Sequence, residues 1–406
     1  MRIAHVITRL ILGGAQENTL LTCEGLLRDY GDEVLLITGP PLGPEGSLLD
    51  RARANRVPLQ MVPSLRRSIH PWRDWTSYRA LKKILRDFRP DVVHTHSAKG
   101  GVLGRAAADS LRVPAIVHGV HGAPFYPYQN PLVREFYRRC ERWAARRCHA
   151  FVSVADAMTD LLVESGVDRR EKFTTIYSGM ETEPFLRAHE HRAQVRRELG
   201  YSDEHLVVGK IARLFHLKGH DDVIAAAGRL VARHPMVRFL FVGDGILRES
   251  LEERIAREGL RPYFQFTGLA PPEQMPRLIG GMDVVVHTSL REGLARVLPQ
   301  ALIAGRPVVS YDIDGAREVV LPGQTGYLLP PRDVTALAAA LDELLGDGGL
   351  RQRLGQEGRR RFADVFRHHR MTEQTRALYV RLLEGQTNAV ARRRADRGIV
   401  KPQVLP

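Results

Sequence analysis

The chain has 406 residues, too many for one ordinary core, so its length points to two domains. Hydrophobic residues make up 44% of it, but no stretch reaches the about 18 uninterrupted apolar residues of a membrane helix. A formal net charge of +14 favours a polyanionic partner, an anionic bilayer or a phosphorylated substrate. Nucleic acid is not expected, because zinc-finger, aromatic RNA-binding and basic-aromatic patterns are all missing from the sequence.

The opening MRIAHVITRLILGGA is apolar enough to resemble a leader. His5 and Arg9 interrupt it, however, and glycines follow where a cleavage site would fall, so it reads as a buried first strand. Cys23, Cys140 and Cys148 are odd in number and lack C-x-x-C spacing. Reduced thiols in a cytoplasmic protein are therefore expected, without disulfide or zinc.

In chain order, IAHVIT, EVLLIT, DVVHTH, AIVHGV and AFVSVA read as strands of a first half. LVVGKIA, VRFLFVG, FQFTG, DVVVHTS and PVVSYD read as strands of a second. Near-continuous apolar strands separated by helix-length segments predict parallel sheets covered on both faces, a doubly wound α/β architecture occurring twice. The seam is expected at residues 176–190, with an arginine-rich helix over 191–199 opening the second half. Helices over 334–345, 349–362 and 367–384 close it.

Several strand ends carry candidate site residues. Gly13 and Gly14, between the first strand and the first helix, let the backbone approach a ligand beside unpaired helix N–H groups. This is not a G-x-G-x-x-G fingerprint, so no dinucleotide site is expected there. His94 and His96 are expected on opposite sides of their strand, with no shared metal between them. A small-residue helix entering a cleft is expected from Ala98, with Lys99 near its start. His118 and His121 lie at a strand's carboxyl end, where ligands sit in open α/β sheets. PLVREFYRRCERWAARRC predicts a basic helix with Arg134, Arg138 and Arg142 in one stripe and aromatic residues among them, suited to an anionic bilayer.

The second half holds a denser set. Arg213 and Lys218 share one strand-to-helix loop, and two cations there suit a diphosphate. The turn at Gly243 and the loop carrying Leu269 are expected on the nucleotide side of a crevice. Glu292 is placed to accept sugar hydroxyls, the backbone around Gly293, Leu294 and Ala295 to face phosphate, and Gln300 to bind ribose. Pro299 suits the first turn of the helix that follows.

Taken in this order, GGAQ, HTHSAKGG, the pair His121 and Gly122, the Arg213-to-Lys218 loop and EGLARVLPQALIAGRPVVS resemble the retaining glycosyltransferases of family 4. The resemblance covers residues 1–383 and implies the GT-B fold, two Rossmann-like domains facing a cleft. It implies an acceptor-side domain over 1–180, a nucleotide-sugar donor domain over 181–365, and a helix over 366–385 returning to the first domain. A disordered basic tail is expected over 386–406.

Residue by residue, the resemblance puts Arg213 and Lys218 on the donor diphosphate and Glu292 on the transferring sugar. Gly293 to Ala295 would offer backbone amides, His121 would sit beside the reacting sugar, and Gly13 and Gly14 would face acceptor or phosphate. It implies hexosyl transfer from a nucleoside diphosphate sugar to a glycan or lipid-linked acceptor, with retention at the anomeric carbon. No metal or other cofactor is implied. Cell-envelope polysaccharide or glycolipid assembly at the inner membrane face is the expected setting. The family's second glutamate is Gln300 here, and Pro299 replaces an aliphatic residue. A sugar-nucleotide epimerase of the same fold and a non-catalytic sugar-nucleotide-binding scaffold are the competing readings.

Overall fold

The computed structural model describes residues 1–43 and 46–398, with side chains through 386. The first half builds a seven-stranded sheet from β1 (Arg2–Arg9), β2 (Glu33–Gly39), β3 (Leu59–Met61), β4 (Val92–His96), β5 (Ala115–Val120), β6 (Ala150–Ser153) and β7 (Phe173–Thr175). Its order is β3-β2-β1-β4-β5-β6-β7, and every pairing is parallel. The second half builds a six-stranded sheet from β8 (Leu206–Ile211), β9 (Val237–Val242), β10 (Phe264–Gly268), β11 (Val284–His287), β12 (Val308–Tyr311) and β13 (Gly326–Leu329). Its order is β10-β9-β8-β11-β12-β13, again all parallel. In each sheet the strand order reverses beside its first strand, and that switch point opens the crevice where ligands bind in such folds.

The apolar runs explain the layering. β4 and β5 are buried at every position, as strands covered by helices on both faces must be. Helices start and stop at recognisable signals. The helix Gly14–Tyr30 ends on Gly31 in the left-handed region, and Pro131 opens Pro131–Ala145 behind the cap of Asn130. The three cysteines are free thiols. Among the described residues no helix is long and apolar enough to cross a membrane.

The chain crosses between the halves at two adjacent points. The Met180 amide donates to the Phe366 carbonyl at 2.8 Å, and the His368 amide donates to the Met180 carbonyl at 3.1 Å. The last helix, His368–Gly398, then lies on the first half. It buries Met371, Leu378 and Tyr379 in the first-half core, and Arg376 pairs with Asp32 at 2.9 Å.

Two expectations are corrected here. The final helix runs on to Gly398 rather than stopping near 384, because the alanine- and arginine-rich sequence after Gly385 favours helix. The expected disordered tail thus has helical backbone over its first part, and residues 399–406 lie outside the described residues. His94 and His96 do not face opposite sides. Two residues apart on one strand, they share a face, with ring centroids 4.2 Å apart.

Candidate active site

A cleft of about 780 Å³ lies between the two halves. The first half contributes the loop at Gly13 and Gly14, together with His121 from the end of β5. The second half contributes Arg213 and Lys218 after β8, Gly243 after β9, Leu269 after β10, and Glu292 to Ala295 with Gln300 after β11. These twelve positions, singled out from sequence and separated by up to 287 residues (from 13 to 300), line one cavity. The reason is topological. Each follows a strand's carboxyl end, and parallel strands present all those ends on one side.

Electrostatics concentrate at Glu292. Its carboxylate pairs with the Lys218 ammonium, and His287 Nε2 lies 3.7 Å away. Burial alone would raise the Glu292 carboxyl, but the Lys218 charge outweighs it and holds the group well below the usual carboxylate range. The site therefore keeps a fixed anion beside a fixed cation. Beneath them Lys210 is fully buried on β8 and donates to Thr288 Oγ1 at 2.7 Å. Burial, with the nearby Lys218 charge, brings Lys210 down to about 7.

The halves touch across the cleft through small residues and arginines. A Cβ on Gly293 would lie 2.3 Å from the His121 carbonyl oxygen, so only glycine allows that approach. A Cβ on Gly14 would meet Arg296 Cδ at 2.7 Å. Arg296 in turn pairs with Glu17 at 2.9 Å and donates to the Gly179 carbonyl at 3.1 Å.

Other candidates sit elsewhere. Lys99 pairs with Asp74 and does not line the cleft, although its helix Ala98–Ser110 forms as expected. His118 is buried and bonds Thr95 Oγ1 at 2.9 Å, a structural role behind the cleft wall. His94 bonds Tyr379 of the last helix. Together His5, His94 and His96 bring ring nitrogens within 4.8 Å of one another, close enough to share an ion. Glu17, Ser178, His287 and Arg296 line the cleft without having been singled out. His287 is the last residue of β11 within DVVVHTS, and a histidine at a strand's carboxyl end is the available signal.

Comparison with known proteins gives the same assignment to both halves. The sequence profile "Glycosyl transferase 4-like domain" matches residues 13–179, and "Glycosyl transferases group 1" matches residues 191–361. The chain is 28% identical over 350 residues to the UDP-Gal:alpha-D-GlcNAc-diphosphoundecaprenol alpha-1,3-galactosyltransferase of Escherichia coli, covering 86% of this chain and 88% of that one. It is 29% identical over 343 residues to a GDP-mannose-dependent alpha-mannosyltransferase of Mycobacterium tuberculosis, covering 81% and 84%. The solved structure of Anabaena Alr3699/HepE in complex with UDP-glucose superposes with a TM-score of 0.77 at 21% identity, covering 96% of this chain and all of that one. A sucrose-phosphate synthase from Thermosynechococcus elongatus gives 0.78 at 19% identity, covering 95% of this chain and all of that one. These last two likenesses speak to the fold. With a group 1 profile on one wall of the cleft and a family 4 profile on the other, the chain belongs to the family 4, group 1 glycosyltransferases and is a sugar-transferring enzyme of the GT-B fold.

Proposed function

We propose that the enzyme transfers a sugar from a nucleoside diphosphate sugar to a glycan or lipid-linked acceptor, with retention at the anomeric carbon and without a metal ion. The observation that carries this reading is the meeting of Arg213, Lys218 and Glu292 in one cleft opposite His121 and the Gly13–Gly14 loop. Arg213 and Lys218 stand where a departing diphosphate gathers charge. Preorganised cations in a water-poor cleft can supply several kcal/mol there, since one lost charge-stabilising group typically costs about 3–4. Glu292, held anionic, accepts hydrogen bonds from sugar hydroxyls. The acceptor oxygen bonds to the anomeric carbon on the face that the diphosphate leaves. The leaving phosphate oxygen takes the acceptor's proton, so no protein nucleophile is required.

The relatives support a nucleotide donor without choosing one, since one is named for UDP-Gal and another for GDP-mannose. Gln300 lines the cleft as a ribose partner whose neutral amide replaces a carboxylate. We place the enzyme at the inner face of the membrane, in envelope polysaccharide or glycolipid assembly. Support comes from the helix Pro131–Ala145, where Leu132 is 82% exposed and Phe136 and Trp143 stand exposed beside Arg134 and Arg139. Arg142 leaves the expected stripe, donating to the Ser165 and Gly166 carbonyls at 2.7 and 2.9 Å.

Thermal stabilisation by a panel of nucleoside diphosphates, with and without EDTA, tests the donor site. A nucleotide at a hundredfold its Kd should add about 2.7 kcal/mol. One diphosphate is expected to raise the melting temperature despite EDTA, and the intact nucleotide sugar to stabilise Glu292→Ala less than wild type. If no nucleotide stabilises the wild type, the cleft is not the proposed donor site.

A further inference from the structure

Two histidines of the first sheet, His5 and His96, and His121 just past the end of β5 form one hydrogen-bonded row that ends at the cleft. His5 Nδ1 lies 3.0 Å from His96 Nε2, and His96 Nδ1 lies 3.0 Å from His121 Nε2. A neutral imidazole has one donor nitrogen and one acceptor nitrogen. Each ring therefore fixes the tautomer of the next, and the row can run in only two directions. Burial lowers all three rings, His5 to about 3 and His121 to about 4, so each is neutral near pH 7.

The two directions differ at His5 Nε2, which is buried and has no hydrogen-bond partner among the described residues. In one direction that nitrogen carries a proton and becomes an orphan N–H. In the other it is a bare lone pair. A cavity of about 10 Å³ beside the row is lined by His94, His96 and His121 but not by His5. Buried N–H groups without acceptors are rarer than under-satisfied acceptors. The His5 proton thus belongs on Nδ1, donating to His96 Nε2. His96 must then carry its proton on Nδ1 and donate to His121 Nε2. His121 is left protonated on Nδ1, its one nitrogen not engaged in the row.

From this geometry we infer that His5 and His96 are positioning residues that hold His121 as a hydrogen-bond donor, not a base, toward an oxygen of the bound sugar or phosphate. The inference rests on the reading of the cleft as a sugar-transfer site. It explains why a histidine beside the reacting sugar is wired into a sheet interior. A ring free to flip or to change tautomer would offer a lone pair to the same oxygen, and repel it.

Nitrogen-15 NMR of histidine-labelled protein reads the tautomers with no ligand present. His121 is expected to be protonated on Nδ1 and bare on Nε2. The reverse pattern overturns the inference, as does a stoichiometric transition metal on His5, His94 and His96 in the purified protein. Kinetics supply a second test. His96→Leu removes the donor and should lower kcat about tenfold while changing the donor KM by less than about threefold. His96→Asn, whose amide nitrogen can stand in for Nδ1, should recover most of that loss. Equal losses in the two variants would overturn the row as the cause. Both should keep the nucleotide-induced thermal shift, whereas failure of the donor-site reading would remove that shift from the wild type.

Discussion

Asp314 holds the backbone of Glu292 from a loop 22 residues further on, accepting its N–H at 2.6 Å. Its own φ is 46°, in the left-handed region that aspartate and asparagine tolerate better than most residues. Burial, only partly offset by that N–H, raises the Asp314 carboxyl to about 6. Since the unfolded group titrates near 3.9, its contribution to stability is fully present below about pH 4 and is lost as the pH rises through 6. At 1.36 kcal/mol per unit the loss is about 3 kcal/mol at most. Asp314→Asn keeps the acceptor oxygen and removes the titration. In urea unfolding, the variant's stability relative to wild type should therefore climb between pH 4 and 6.5 and level off above 7. Parallel stability curves would show that Asp314 ionises freely in the fold. The same residue marks a limit of sequence reading. Glu292 is legible because R-E-G follows an apolar strand, but D-I-D-G reads only as a turn until the fold lays it on the Glu292 amide. Lys210 is hidden for a similar reason, since a lysine inside LVVGKIA looks like a solvated break in the pattern when it is buried against Thr288.

At the scale of elements, the apolar runs announce the central strands well because a strand covered on both faces has few other ways to be written. β3, β7 and β13 are hard to read, being only LQM, FTT and GYLL at the sheet edges, where partial exposure dilutes the pattern. Caps supplied across the cleft are still less legible. The helix Asp156–Glu164 has no side-chain cap of its own at Ala155. Glu318, from the second half, accepts the Asp156 and Ala157 amides at 3.1 and 3.0 Å and the Tyr177 hydroxyl at 3.0 Å. A carboxylate there satisfies orphan donors and complements the helix dipole. Glu318→Ala should cost about 1–2 kcal/mol, the range of a lost cap. Glu318→Gln should cost less, because one amide oxygen still accepts. If Glu318→Ala unfolds at the same urea concentration as wild type, the cross-cleft cap contributes nothing to stability.

For the whole molecule, the two halves close on each other through the Arg296–Glu17 pair, the bond from Arg291 to the Ala123 carbonyl and the contact of Gly293 with His121. No single segment predicts these contacts, because each joins residues whose local patterns are complete without them. Net charge, by contrast, is fully legible, and +14 is a property the cleft does not use up. Part of it stands on the helix Pro131–Ala145, where Arg134 and Arg139 are exposed with Leu132, Val133 and Phe136. Exposed cations alone would be an ordinary solvated face. Cations beside apolar and aromatic side chains fit an anionic lipid surface, with each basic residue near that surface adding about 1 kcal/mol. Screening then gives a quantitative expectation, since the Debye length shrinks from about 10 Å at 0.1 M salt to about 3 Å at 1 M. The protein should sediment with vesicles containing anionic phospholipid at low salt, release largely at high salt, and ignore neutral vesicles. Leu132→Asp combined with Phe136→Asp should abolish that binding while leaving the nucleotide-induced thermal shift intact, because neither residue lines the cleft. Absence of binding at low salt would remove the membrane from the account and turn the acceptor toward a soluble glycan. Binding that survives the double substitution would move the docking face to another basic surface.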